Sequence, residues 1–338
     1  MFLIIKKISN IIIFICVFHS LILASQRVET SLRYDQLNGW DDANVVDSFN
    51  HYIDVSKTLK NTRQNKLKAD LKHLDRTNNY QIKQFIERYF EPILITQAET
   101  EHLLTGYHIF QAEARRIRSD SFSIPIYTKP KKKVDRHHTH QAILNGVLNN
   151  KNLELAWLKD SVDVYLLMMQ GSGVLTYADG STEKVVYAGA NGFPYKSISA
   201  FMLEKKLISP EQRNGPFIKA YLKKDLVRAR EIIVHNPSYV FFKKDDTQSF
   251  YGAAGTPLKA MISLAVDKRY YPFHSLFWLE SPSSLRSTTQ LVVSQDTGGA
   301  IKGPQRGDLF YGVNKQAEVD AGLTKDENLR LIMLRLRS

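Results

Sequence analysis

The apolar positions change period along the chain. Residues 8–23 form an uncharged, mostly apolar stretch after Lys6 and Lys7 and end at Ala24-Ser25, the layout of an export signal with the mature chain starting near Gln26. The run is a little short of the roughly 20 residues that span a bilayer, so an uncleaved N-terminal anchor is the alternative. Residues 26–100 read as a helical layer: 59–74 is charged and amphipathic, and 80–89 repeats Ile82, Phe85, Ile86 and Tyr89 at helical spacing before Pro92. Helical periodicity is lost from 109 to 130, and Thr139 predicts an N-cap for a short helix reaching 148. Strands are expected over 162–169, 174–177 and 184–187, with Asp179-Gly180 as a hairpin turn and Asn191-Gly192 as another. Helices follow over 198–207 and 217–233. Short strands at 239–243, 261–266, 276–279, 290–294, 309–311 and 331–336, separated by Gly and Pro, predict a small closed barrel.

Composition narrows the partners. The 338 residues suit about two domains. The 46 Lys and Arg against 34 Asp and Glu give a net charge of +12, and losing Lys6 and Lys7 with the signal leaves +10. That charge favours an anionic partner. Export and the dispersal of the basic residues argue against nucleic acid. The one cysteine, Cys16, falls inside the signal and follows Ile15 where a lipoprotein signal needs a small residue. The mature chain therefore has no disulfide or thiolate site.

Several motifs invite chemistry. Asp135, His137, His138 and His140 have metal-ligating side chains, but they sit in the run KPKKKVDRHHTH (129–140), which reads as a solvated loop, and no metal is expected. QGSG (170–173) lacks the flanking glycines of a serine nucleophile elbow, and DTGGAIKG (296–303) lacks the Gly-Lys-Ser/Thr of a phosphate loop. The strongest pattern is three aspartates at strand ends: Asp267 after ISLAV, Asp296 after LVVSQ and Asp308 before LFYG. A lone Asp beside a turn usually caps backbone N–H groups. Three gathered on one barrel rim would raise at least one pKa, which general acid catalysis needs.

Segments LLTGYHIF (103–110), LELAWLKDSVDVYLLMMQGSG (153–173), YAGANGFPYKSI (187–198), GAAGTPLKAMISLAVDKRYYP (252–272) and SQDTGGAIKGPQRGDLFYG (294–312) resemble the membrane-bound lytic murein transglycosylase A family with its three-aspartate module. The resemblance covers most of 103–312. It implies a mainly β fold with helices: a double-psi β-barrel domain from 26–108 and 236–338, an inserted β-barrel-like domain at 109–235, and a groove between them. It also implies non-hydrolytic cleavage of peptidoglycan glycan strands to 1,6-anhydro ends, with no cofactor. Asp308 matches the catalytic acid, with Asp296 and Asp267 tuning and orienting. Thr105, Gly106, Tyr107, Gln170, Gly171, Ser172, Gly173, Tyr195 and Ser197 fall in the matching glycan-binding segments. The expected protein is a periplasmic monomer. A non-catalytic wall-binding protein and a muramidase-type hydrolase are the rival readings.

Overall fold

The computed structural model describes residues 27–98, 101–282 and 287–337, so the signal run and Cys16 lie outside the described residues. The strands are, in order, β1 (Arg27–Ser31), β2 (Phe90–Gln97), β3 (Leu103–Tyr107), β4 (Phe110–Glu113), β5 (Ile124–Tyr127), β6 (Glu154–Leu158), β7 (Ser172–Thr176) and β8 (Thr182–Ala190). They continue with β9 (Val240–Lys244), β10 (Ser263–Val266), β11 (Leu276–Ser281), β12 (Thr288–Asp296), β13 (Arg306–Phe310), β14 (Lys325–Asp326) and β15 (Arg330–Leu336). They form a nine-stranded sheet ordered β1-β2-β15-β11-β12-β10-β13-β3-β14, a four-stranded sheet β4-β7-β8-β9 and a β5-β6 pair. The fold is mainly β with helices. The expected closed barrel is not found among the described residues: the nine-stranded order runs between two different edge strands, β1 and β14.

The N-terminal helices cover one face of the large sheet. Helix Asn79–Tyr89 starts where Asn78 accepts from the Gln81 N–H and buries Ile82, Phe85, Ile86 and Tyr89, the apolar stripe seen in the sequence. The core beneath it includes Phe49, Trp40 and Trp278, the two indoles meeting edge-on at 5.2 Å. The segment 59–74 divides into Lys57–Asn61 and Asn65–His73. The layer is not wholly helical: β1 and β2 pair with each other, and β2 also pairs with β15.

The largest correction is at 162–169. This apolar run is the helix Ser161–Gln170, not a strand. It is buried against several elements at once, so its apolar positions show no single stripe and periodicity cannot tell it from an interior strand. Its ends decide. Asp160 accepts from the N–H groups of Val162 and Asp163, and Gly171 takes the left-handed conformation at φ 74° that closes a helix. Likewise 217–233 breaks at Asp225, which ends Gly215–Lys224 and caps Leu226–Ile233.

Strand β9 pairs with β8, so the small sheet, and the small lobe built on it, runs on to Lys244. Two connections therefore join the lobes. At the first, His108 N–H donates to Gln170 Oε1 at 2.9 Å and Ile109 N–H to the Gly312 carbonyl at 2.8 Å. At the second, the Lys184 ammonium holds Asp245 at 2.7 Å and the carbonyls of Thr247 and Ser249, each at 2.7 Å.

The His-rich run holds no metal group, and none is found among the described residues. Asp135 pairs with Lys151, His137 stacks on Phe193, and His140 is fully buried with its pKa pushed down to about 4 by desolvation. Among the described residues no helix is long and apolar enough to cross a membrane.

Gly106 on β3 lies against helix Lys315–Leu323. A Cβ there would stand 2.7 Å from Ala321 Cα and 2.7 Å from the Tyr311 ring. Gly106→Ala is therefore expected to cost about 1–3 kcal/mol through overpacking. Urea unfolding checks this, and an unchanged midpoint would mean that the helix yields freely.

Candidate active site

Strand register assembles the site. In the pairings, Thr105 on β3 faces Asp308 on β13, Asp308 faces Ala265 on β10, and Ala265 faces Asp296 on β12. These four residues form one row across four strands, so their side chains leave the same face of the sheet. Their neighbours Leu104, Leu264, Val266 and Leu309 point the other way into a buried core. The two aspartates are two strand spacings apart, roughly 10 Å between backbones. Ala265 between them contributes only a methyl and is itself buried, in a cluster with Tyr107, Ile301 and Phe310. A register shift between Leu264 and Ala265 completes the alignment with Asp296.

The carboxylates occupy different environments. Burial pushes the Asp308 pKa up, the nearby charge of Asp296 pushes the same way, and Arg306 and the Thr105 hydrogen bond pull against them, leaving it above the ordinary carboxylate range. Thr105 Oγ1 donates to Asp308 Oδ1 at 2.5 Å, and Arg306 Nη2 donates to Thr105 Oγ1 at 2.8 Å. Asp296 is raised too, again by burial, while N–H groups of Ala253 at 3.0 Å and Thr297 at 2.9 Å favour its charged form. Tyr107 is buried beside both, and desolvation with the two carboxylates raises its pKa well above the ordinary phenol value. Its hydroxyl approaches Asp296 closely enough to act on it electrostatically without forming a regular hydrogen bond.

Asp267 stands apart from this row. Burial alone would raise it, but the Arg269 guanidinium on both oxygens and the Gly303 N–H at 2.9 Å outweigh burial and hold it below the usual range. It is a fixed anion that ties the Thr297–Gly303 turn to the end of β10.

The turn at 252–257 supplies the Ala253 N–H. Gln295, fully buried, donates to Thr256 Oγ1 at 2.9 Å and to the Pro257 carbonyl at 2.8 Å, and its amide oxygen takes bonds from His51 and Ser263, each 2.7 Å long. Gly252 lies so close that a Cβ would sit 2.2 Å from the Gln295 carbonyl oxygen. The backbone can approach Asp296 only because residue 252 has no side chain.

The expected glycan-binding residues divide. Thr105 and Tyr107 lie at the carboxylates. Gly106 packs against a helix, Gly171 closes one, and Ser197 caps helix Ile198–Glu204 by accepting from Ala200. Gly173 is required by packing, since a Cβ would meet Leu167 at 2.6 Å. Ser172 opens β7 beside it, and Gln170 holds the first connection. Tyr195 of the small lobe comes against the turn of the large one, where a Cβ on Gly299 would lie 3.8 Å from its Cβ. A cavity of about 440 Å³ is lined by Gly106, His108, Gln170, Lys219 and Glu318 among others, and neither aspartate of the row lines it. Arg306 and Gln295 were missed from the sequence, although Arg306 precedes Asp308 by two and strand alternation puts them on one face.

Residues 103–243 match the family model described as the MltA specific insert domain, and 262–334 match the 3D domain. Both matched regions make the chain similar to the membrane-bound lytic murein transglycosylase A family. The chain is 33% identical over 229 residues to membrane-bound lytic murein transglycosylase A of Vibrio cholerae, covering 65% of this chain and 62% of that one. The Escherichia coli K12 relative of the same name is 31% identical over 227 residues, covering 64% and 61%. The matched stretch thus spans less than two thirds of either relative. The crystal structure of E. coli MltA with bound chitohexaose superposes with a TM-score of 0.74 at 25% identity, covering 92% of this chain and 95% of that one. The membrane-bound lytic murein transglycosylase of Agrobacterium tumefaciens shares the fold at a TM-score of 0.79 and 23% identity, covering 91% and 98%.

A raised carboxyl favours folding in its protonated form, so its stability contribution is present below the ordinary carboxylate range and is lost as pH rises through the raised value. Asp308→Asn is therefore expected to melt about 1–3 °C above the parent at neutral pH. The difference should shrink on acidification. Scanning calorimetry at both pH values checks this, and a pH-independent difference would contradict a raised Asp308.

Proposed function

We propose that this chain is a lytic transglycosylase that cleaves the β-1,4 bond between N-acetylmuramic acid and N-acetylglucosamine in peptidoglycan, leaving 1,6-anhydro ends. The observation that carries the reading is Asp308: a carboxyl with raised proton affinity, partly open to solvent, with one oxygen engaged by Thr105. Raised proton affinity is what a carboxyl needs to serve as a general acid. The names of the relatives and the chitohexaose bound to the E. coli protein support the substrate class.

In this mechanism protonated Asp308 donates to the glycosidic oxygen as the C1–O4 bond breaks and the N-acetylglucosamine portion departs with a hydroxyl. The carboxylate so formed takes the proton from the muramic C6 hydroxyl, whose oxygen closes on C1. Asp308 ends protonated and no water is consumed. A retaining or inverting hydrolase needs a second carboxylate for the nucleophile or for water. Here the substrate's own hydroxyl fills that place, already positioned by its ring. Asp296, held by two N–H groups, contributes negative charge that keeps the proton on Asp308. Asp267 acts indirectly by fixing the 297–303 turn.

The glycan would run between the lobes over Asp308, with Tyr195 and Ser172 from the small lobe on one side. We place the division into lobes at 108/109 and near 245, with the small lobe as the insert. We read the large sheet as double-psi in topology, supported by its two parallel pairs, β10–β12 and β13–β3, on either side of the antiparallel β10–β13 seam. The protein is proposed to work as an exported, envelope-associated monomer on an anionic wall.

Mass spectrometry of soluble products from purified peptidoglycan tests the proposal, with Asp308→Asn alongside. Muropeptides one water lighter than hydrolysed ones, and a loss of at least a thousandfold in the variant with wall binding retained, are expected. Reducing ends would replace the reading with a hydrolase. Wall binding without release by either protein would replace it with a binding module.

A further inference from the structure

We propose that Arg306 and Thr105 form a positioning pair that fixes which oxygen of Asp308 carries the catalytic proton. The inference deepens the proposed reaction and rests on it. Its basis is donor and acceptor arithmetic. A guanidinium only donates. Arg306, 7% exposed, donates to the carbonyls of Gly307 and Leu103 and, from Nη2, to Thr105 Oγ1 at 2.8 Å. The Thr105 hydroxyl therefore accepts from Arg306, and its single hydrogen is left to donate. Among the described residues its acceptor is Asp308 Oδ1, at 2.5 Å.

Oδ1 is thus an acceptor in both protonation states, and the acid proton resides on Oδ2. Oδ2 is the oxygen that both gives the proton to the leaving group and later takes one from the C6 hydroxyl. The carboxyl need not rotate between the two steps, because Thr105 keeps the same bond throughout. The charged and titratable groups facing Asp308 from the surrounding strands are Arg306 on its own strand, Tyr107 on β3 and Asp296 at the end of β12. Of these, Arg306 is the one cation. It stabilises the carboxylate formed in the first step, and the hydroxyl between them spares Asp308 a direct ion pair that would hold it ionised. Thr105 thus belongs to the acid and not to the glycan contacts expected from the sequence.

The test is the pH dependence of kcat and KM for anhydro-product release by the full chain carrying Thr105→Val or Thr105→Ser. Valine keeps the shape and removes the hydroxyl. It is expected to lower kcat at least tenfold, leave KM within about twofold, and move the alkaline limb of kcat upward by about one pH unit, since a hydrogen bond to the ionised form is lost. Serine should restore both kcat and the limb. Arg306→Lys, read in the same way, should move the limb in the valine direction, because one ammonium cannot reach all three oxygens. A raised KM with kcat and pH profile unchanged in Thr105→Val would overturn the inference and return Thr105 to substrate binding. So would loss of activity in the serine variant with no displacement of the limb. Failure of the parent reading is distinguishable, because wild-type protein would then release reducing ends or nothing.

Discussion

The chemistry of this protein depends on strand register. Thr105, Asp308, Ala265 and Asp296 are scattered along the chain and meet only because β3, β13, β10 and β12 pair side by side with one specific alignment. Side chains alternate between faces, so a slip of one residue in any of these pairings would turn a carboxyl toward the apolar core and a leucine or valine toward solvent. The hydrophobic effect that buries Leu104, Leu264, Val266 and Leu309 therefore also aims the two aspartates. The packing that stabilises the sheet and the electrostatics that raise the proton affinity of Asp308 are two faces of the same alignment.

The small lobe is organised around polar hubs in the same spirit. Asn191, 3% exposed, donates to the carbonyls of His138 and Pro237, each at 2.8 Å, and accepts from the Tyr239 N–H at 3.0 Å, drawing three loops together. Asn236 accepts from the Lys196 N–H at 3.1 Å, so the loop bearing Tyr195 is held at both ends. Elsewhere the lobes touch through helices Gly215–Lys224 and Lys315–Leu323, where a Cβ on Gly322 would lie 2.7 Å from Pro216 and Lys219 pairs with Glu318. Small residues at that crossing let the helices approach closely, and the ion pair contributes little by comparison.

Much of this was legible in the sequence, and the failures have physical reasons. The late strands and the helix carrying Phe85 and Ile86 were readable because their periods are clean. The helix Ser161–Gln170 was not, because an element buried on all sides has no polar face to set a phase; its caps at Asp160 and Gly171 carried the information instead. Strands β1 and β2 were hidden by the helical character of what lies between them. The aspartates were identifiable by type and by their places at strand ends, but their unequal environments were not. What separates Asp267 from Asp308 is a guanidinium two residues further on in one case, and in the other a guanidinium kept at one remove by a hydroxyl. Gln295 and Gly252 gave no signal in the sequence, because their importance lies in a backbone approach that only the folded chain creates.

The bond between Thr105 and Asp308 joins residues 203 positions apart in the chain. Contacts of such long range form late, after most of the loop entropy between them has been surrendered. An incompletely folded chain thus has every residue of the site and none of its reactivity: its aspartates are ordinary exposed carboxylates, ionised and unable to serve as acids at neutral pH. The proposed cutting activity would switch on together with native structure, so a chain crossing a membrane unfolded would be chemically silent until it had folded on the far side.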